Sequence, residues 1–146
     1  MAAPRRALSV TDLSDDDRRQ LAAVVRRADE LATARDVDGY LALTTEDMVL
    51  DGAQGEASGH DAVRAAVTRI WAAEPSGTLH LTSDITVTPG TVEGASAHST
   101  LSLARGTPAH PEVWPVASIT QLLRPTSQGW LIARRTVGEG PAGAGQ

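Results

Sequence analysis

The chain of 146 residues contains no cysteine, which excludes a disulfide framework, a thiolate metal site and a cysteine nucleophile. It also lacks the run of about 20 apolar residues that a helix needs to span a bilayer. Lysine, asparagine and phenylalanine are absent as well. All three have AT-rich codons, so a GC-rich genome accounts for the pattern, and the arginine content is no evidence for a phosphate-binding site.

The charge balance argues against two classes of partner. The formal net charge is −5 and no basic residues form a stripe, so we expect neither nucleic acid nor a membrane surface as a partner. The first residues carry two arginines but no apolar run of the length found in a signal peptide. We therefore expect a cytoplasmic protein.

Several catalytic motifs are also missing. The sequence has no nucleophile elbow, no P-loop, no dinucleotide-binding fingerprint and no zinc-protease motif. The four histidines fall in four different elements, and no two of them have the i, i+4 spacing of a helical metal site. The sequence therefore predicts either a reaction without cofactor or metal, or no reaction.

The length fits one domain with a single substantial core. We expect a flexible N-terminal arm over residues 1–13 and one domain over residues 14–137. Residues 138–146 are rich in glycine and alanine and are expected to form a disordered tail.

Three helices are expected in the first half of the chain. Ser14 and the acids after it form a capping box, and Asp36 is expected to cap a second, short helix. A third helix follows Gly59 and ends before Pro75. Helical spacing places one apolar face on the first helix, formed by Leu21, Val24, Val25, Ala28, Leu31 and Ala32.

The second half of the chain reads as strands. Aliphatic residues alternate with polar ones from Leu79 to Val87, and a second inward row runs from Ala95 to Leu103. Two more strands are expected at residues 113–124 and 130–137. Helices followed by long antiparallel strands are typical of an α+β fold, here a cone-shaped, curved sheet wrapped around the three N-terminal helices and enclosing a pocket.

The stretch from Glu46 to Trp71 carries the strongest candidate for chemistry. A short strand over residues 48–50 delivers Asp51 to a glycine-rich loop, and an amphipathic helix follows. We expect Asp51 to lie at the mouth of an apolar pocket, where it would act as a general base. The alternative is a turn acid that accepts hydrogen bonds from loop amides.

Four phrases in the chain resemble the SnoaL-like and ketosteroid-isomerase-like families of the nuclear-transport-factor-two-like superfamily. They are RDVDGYLAL at 35–43, VLDG at 49–52, SGHDAV at 58–63 and GWLI at 129–132. The resemblance covers about residues 14–137. It implies the cone fold and a homodimer formed through the sheet, but no single activity, because this fold hosts isomerases, cyclases, dehydratases, hydrolases and binding modules.

The resemblance can be carried over residue by residue. Asp51 lies where ketosteroid isomerases have their general base. Ala28 stands where they have an oxyanion-binding tyrosine, and the stretch around Ser118 has hydroxyls where they have a protonated aspartate. The resemblance therefore implies a base with neither of the two oxyanion donors, which argues against steroid isomerisation by that mechanism.

Five further side chains are candidates for substrate binding. Trp71 and Trp114 offer flat apolar surfaces, and Tyr40 offers a hydroxyl, but each is also consistent with ordinary core packing. The remaining two, His98 and Ser118, carry polar groups on the expected sheet. His98 and His80 lie opposite the aliphatic rows, so we expect an outer or subunit-contact face, with an inward orientation as the alternative.

Arg134 and Arg135 are adjacent in a strand, so one of them is expected to face inward or toward a partner. An inward arginine would bind an anionic substrate group or pair with Asp51, and pairing would argue against a base. The leading hypothesis is a cofactor-independent isomerase, cyclase, dehydratase or hydrolase that acts on an apolar, polyketide- or terpenoid-like molecule with Asp51 as base. The alternative is a non-catalytic, dimeric ligand-binding or accessory protein.

Overall fold

The computed structural model describes residues 13–52, 55–90, 94–106 and 109–139. The expected N-terminal arm lies outside this range except for Leu13, which packs against the core. Of the expected tail, residues 138 and 139 belong to the last strand, and the rest lies outside the described residues.

Three helices precede the long strands, as the sequence predicts: α1 is Asp15–Ala34, α2 is Val37–Ala42 and α3 is His60–Ala72. The capping box at the start of α1 is present, since the backbone N–H of Asp17 donates to Ser14 Oγ at 2.9 Å. Asp36 caps α2 by accepting a hydrogen bond from the backbone N–H of Gly39 at 2.9 Å.

Within the described residues, six strands form one sheet in the order β2-β1-β6-β5-β4-β3. Their bounds are β1 Thr44–Gly52, β2 Gly55–Ser58, β3 Leu79–Pro89, β4 Ala95–Gly106, β5 Pro111–Thr126 and β6 Gly129–Glu139. Neighbouring strands are antiparallel except β1 and β6, which are parallel. The α+β prediction of helices enclosed by a curved, mostly antiparallel sheet is confirmed.

The core lies between the three helices and one face of the sheet, here called the inner face. Leu21, Val25 and Ala28 of α1 are buried there together with Val63 and Val67 of α3. The sheet contributes buried residues at alternate positions, which are Met48, Leu50, Ala95, Ala97, Leu123 and Ile132. The opposite side of the sheet is called the outer face.

An irregularity in β3 changes which residues face inward along that strand. The pairing of β3 with β4 shifts between Ser83 and Thr86, and Asp84 between them has a left-handed backbone with φ 55°. Before this bulge, His80 and Thr82 face inward, where they bond to Glu74 and Asp29.

The consequence is a correction to the predicted strand. Ile85 and Val87 pack on the core as the alternation predicts, but Leu79 and Leu81 are 45% and 39% exposed on the outer face. A period-two pattern reads as one continuous row, whereas the extra residue at the bulge exchanges the two rows halfway along. The expectation that His80 lies on an outer face is therefore wrong.

None of the described helices is long and apolar enough to cross a membrane.

Candidate active site

The inner face encloses a small polar cavity of about 120 Å³ between α1, α3 and the sheet. Its wall includes an apolar part formed by side chains such as Leu50 and Val67. It also holds an unusual concentration of polar and aromatic groups: Asp29, Tyr40, Trp71, Glu74, His80 and Arg135. Buried ionisable side chains are rare unless they are paired, so this wall is the first place to look for chemistry.

Asp29 and Arg135 form a buried ion pair across the cavity. Asp29 lies on the inner side of α1 and Arg135 on β6, and their side chains are 4% and 10% exposed. Arg135 Nη2 is 3.6 Å from Asp29 Oδ1, which is an ion-pair distance but too long for a good hydrogen bond. The hydroxyl of Thr82 donates to the other carboxylate oxygen, Asp29 Oδ2, at 2.6 Å.

This geometry leaves part of the Arg135 fork available to a ligand. A guanidinium carries five N–H donors in a planar arrangement that suits oxygen acceptors. The buried carboxylate of Asp29 offsets its charge without holding it in a bidentate bond. Beside it on β5, Gln121 is buried, and its Oε1 has no hydrogen-bond partner in the described part of the chain.

His80 is held in one orientation by Glu74. The distance from His80 Nε2 to Glu74 Oε1 is 2.8 Å, and the two side chains are 6% and 14% exposed. A carboxylate accepts hydrogen bonds, so Nε2 carries the hydrogen, and Nδ1 is the acceptor in the neutral imidazole. His80 Nδ1 is buried and has no hydrogen-bond partner among the residues that the structure describes.

Arg35 contacts the same carboxylate oxygen of Glu74 as His80 does. Its Nη2 lies 2.9 Å from Glu74 Oε1, and its Nη1 donates to the carbonyl of Ala32 at 2.6 Å. Arg35 ends α1 in a left-handed conformation with φ 59°, which is uncommon for a residue with a side chain. A strained backbone at this position thus places the guanidinium that anchors the glutamate of the Glu74–His80 pair.

Tyr40 completes the polar wall and packs edge-on against Trp71, with ring centroids 5.7 Å apart. Burial raises the pKa of the Tyr40 phenol, the charge of Arg135 lowers it and that of Asp29 raises it, with a net increase. Tyr40 is therefore a neutral hydroxyl at physiological pH. The described residues of the cavity wall thus include an imidazole with an unpartnered nitrogen and two donors of different type, a phenol and a guanidinium.

The predicted base, Asp51, lies elsewhere. Leu50 points into the core, so Asp51 is on the outer face, where Arg134 Nη2 donates to Asp51 Oδ2 at 3.2 Å and to Glu56 Oε2 at 2.8 Å. The expectation that Asp51 looks into the cavity is wrong. The strand extends one residue past Asp51 to Gly52 and pairs with β2, so Asp51 lies within a hairpin opposite Glu56.

The structure separates the other predicted binding residues into two groups. Tyr40 and Trp71 lie in the cavity wall. His98 is exposed on the outer face with Nδ1 3.1 Å from the hydroxyl of Thr120, and Ser118 alternates with buried neighbours on β5 and also faces outward. Trp114 is partly buried under Arg105, whose guanidinium carbon is 5.5 Å from the ring centroid. His98 thus lies on the outer face that its strand row predicts, and none of these three side chains lines the polar cavity, so their predicted role in binding a substrate there is wrong.

Sequence reasoning missed Asp29 and Glu74. Asp29 follows Val25 by four residues and precedes Ala32 by three, so helical spacing puts this acid on the buried stripe of α1. That conflict between charge and position is the signal that identifies it. Glu74 sits in the turn after α3, where an acid carries no such signal. Arg135 is the inward member of the predicted arginine pair, and its partner is Asp29 instead of Asp51.

No group of three or more His, Cys, Asp or Glu side chains within the described ranges is arranged to hold a metal ion.

The chain is similar to one protein family and to several solved structures. A family model described as a SnoaL-like domain matches residues 15–136. Among curated proteins, none matches the chain in sequence.

Solved structures with 16–20% identity share the fold. A Nostoc punctiforme protein of unknown function with a cystatin-like fold is 20% identical at a TM-score of 0.78, covering 90% of this chain and 97% of the other. Aln2 from Streptomyces is 17% identical with a TM-score of 0.75, covering 87% and 93%. A putative dehydratase of the NTF2-like family from Streptomyces avermitilis is 16% identical with a TM-score of 0.72, covering 87% and 98%.

Proposed function

Because the chain belongs to the SnoaL-like domain family, we propose that it is a cofactor-independent enzyme that moves a proton at a carbon beside a carbonyl group. The family resemblance inferred from the sequence is confirmed by this match. The reaction class is isomerisation or dehydration of a small, largely apolar molecule in the polar cavity. The observation that carries the proposal is buried His80, bonded to Glu74 through Nε2 and unpartnered at Nδ1 among the described residues.

The base in this mechanism is His80. Its Nδ1 takes the proton from the carbon next to the carbonyl, the electron pair of that C–H bond forms a carbon–carbon double bond, and the π pair of the carbonyl moves to its oxygen. Glu74 carries a negative charge beside the imidazolium that forms, and Arg35 keeps Glu74 in place. Glu74 and Arg35 are positioning residues, since each acts through a neighbour.

Arg135 and Tyr40 stabilise the enolate oxygen. Both line the same cavity as His80, and both are donors that burial keeps away from bulk water. Donors fixed in advance at a developing oxyanion are typically the largest contribution to catalysis of this kind. They replace the two oxyanion donors that the sequence lacks at the ketosteroid-isomerase positions.

Dehydration completes the cycle when the substrate carries a hydroxyl one carbon further on. The enolate returns its electron pair to form a carbon–carbon double bond, the C–O bond breaks, and the leaving hydroxyl takes the proton from His80 to leave as water. Isomerisation differs in that the proton returns to another carbon. The dehydratase name of one structural neighbour supports this reaction class at the level of a proposal.

A direct test uses cyclohexanone and 3-hydroxycyclohexanone as probes. Exchange of the α-protons of the first in D₂O is followed by NMR, and enone formation from the second by ultraviolet absorbance. We expect His80→Gln to lower both rates by about 10²–10⁴-fold, since that is the usual contribution of a general base. Glutamine retains an N–H for Glu74, so the fold should be preserved.

Asp51→Asn is the matched control, because Asp51 lies on the outer face and does not line the polar cavity. Its rates should stay within about twofold of the wild type. Rates unaffected by His80→Gln, or an equal loss in both variants, would contradict the proposal. Tight binding of a ketone by both variants with no exchange would favour the non-catalytic alternative, a ligand-binding protein.

The outer face supports a second proposal, a homodimer formed through the sheet. Four large apolar residues are between 39% and 55% exposed there: Leu79, Leu81, Val113 and Leu122. Exposed apolar side chains grouped on one face are typical of protein–protein contacts.

A further inference from the structure

A second cavity lies next to the polar one. It has a volume of about 230 Å³ and is bounded by α3 on one side and by β1 and β2 on the other. Ala57 and Ala66 contribute small side chains to its wall, and Gly52 contributes none. Its interior is apolar, and among the described residues the charged side chains that line it are the exposed Glu56 and Arg69, which form a polar rim at its mouth.

The two cavities adjoin. Leu50, Ile70 and Val137 line both of them, so these three side chains stand between the polar cavity and the apolar one. Leu50 is deeply buried in the core, whereas Ile70 and Val137 are only partly buried. The divider is therefore made of three apolar residues from three elements, and none of the residues that line both cavities is charged.

Neither cavity alone has the size of a typical substrate pocket. An engineered cavity of about 150 Å³ holds one benzene ring, so the polar cavity, at about 120 Å³, accommodates a polar head no larger than a single small ring. Together the two cavities reach the lower end of the range of small-molecule sites, roughly 300–1,000 Å³. An elongated ligand with one polar end fits this arrangement, in which the three apolar side chains lie between the polar cavity and the apolar one.

We propose that the substrate spans both cavities, with its carbonyl end against Arg135, Tyr40 and His80 and an unbranched apolar tail in the cavity under α3. This inference rests on the proposed function, because that function fixes the carbonyl end. Ile70 and Val137 are then specificity-determining residues, since the tail passes between them. Ala66 and Ala57 set the space that the tail occupies.

The test measures binding without relying on turnover. Phenol, 4-propylphenol and 4-pentylphenol present a hydroxyl on a planar ring, which resembles an enolate, with tails of increasing length. Isothermal titration calorimetry of the full chain gives their affinities. We expect 4-pentylphenol to bind roughly tenfold or more tighter than phenol, because each buried methylene strengthens binding about fourfold.

The variant Ala66→Phe fills the apolar cavity and should abolish the gain from the tail while leaving phenol affinity within about twofold. Ala65→Phe is its matched control, since the adjacent residue is exposed on the same helix and lines neither cavity. It should retain the full tail dependence. If Ala66→Phe fails to fold, Ala57→Leu narrows the same space from β2.

Equal affinities for all three phenols would overturn the inference, and so would a tail dependence that survives both Ala66→Phe and Ala57→Leu. Failure of every phenol to bind would overturn it as well. None of these results depends on proton exchange at His80, so a failed tail experiment and a failed His80→Gln experiment are told apart by their readouts.

Discussion

Replacing Asp29 by asparagine tests whether the Asp29–Arg135 ion pair in the cavity wall is shielded from water. The substitution keeps the shape of the side chain and an oxygen that accepts from Thr82, but removes the charge opposite Arg135. Removing one partner of a buried pair leaves an uncompensated charge and usually costs about 3–5 kcal/mol. The 3.6 Å separation and the surviving Thr82 bond favour the lower end.

Asp29→Asn should therefore lower the free energy of unfolding by about 3 kcal/mol, which corresponds to roughly 6–12 °C in melting temperature for a domain of this size. Urea unfolding followed by far-ultraviolet circular dichroism measures the change by linear extrapolation. Asp51→Asn serves as the comparison, because Asp51 is 34% exposed and Arg134 keeps its 2.8 Å contact with Glu56. Its cost should stay within about 1 kcal/mol.

A double variant isolates the pair itself. Arg135→Gln combined with Asp29→Asn removes both charges, so the double variant should be more stable than the sum of the two single losses predicts. A loss of stability in Asp29→Asn no larger than that in Asp51→Asn, or simple additivity of the two inner substitutions, would contradict a buried ion pair. Either result would mean that water reaches the pair and screens it.

The remaining predictions concern a titration, a strand and an interface. Tyr40 is the only tyrosine, so phenolate absorbance reports it alone. Because its pKa is raised, Tyr40 should ionise at a higher pH in the folded chain than in the urea-unfolded chain. Stability from Tyr40 is then complete below the unfolded pKa of about 10 and declines as pH rises through the folded value, and coincident titrations would contradict this. Asp84→Val should be about 1–2 kcal/mol less stable than Asp84→Gly in urea, because a β-branched residue is strained at φ 55°, whereas equal stabilities would place the bulge elsewhere. Leu81→Glu and Leu122→Glu should each convert a dimer to a monomer in light scattering, and a wild-type monomer at micromolar concentration would remove the dimer proposal.

The fold was predictable because local signals agreed with each other. The Ser14 capping box, the Asp36 cap and the alternation from Ala95 to Leu101 each reflect a single physical requirement, and the structure meets all three. The short strand β2 gave no such signal, since its four residues form a hairpin arm without a buried row. The existence of the three helices and of the longer strands thus followed from the sequence, whereas the existence of β2, the strand lengths and the strand pairing did not.

The candidate site was only partly predictable. Tyr40 and Trp71 lie in the cavity wall, but the side of the sheet that each polar residue faces depends on the phase of its strand. A one-residue bulge at Asp84 reverses that phase, and no period-two pattern contains it. Asp51 was misplaced for a related reason, because the strand continues past it and Leu50 takes the inner position.

The bulge also divides β3 into two halves that make different contacts. The half that begins at Leu79 supplies His80 and Thr82 to the cavity, and the half from Ile85 onward attaches the strand to the core under α1. Since the two halves contact different neighbours, we expect substitutions at His80 to act on the cavity and substitutions at Ile85 or Val87 to act on the stability of the core.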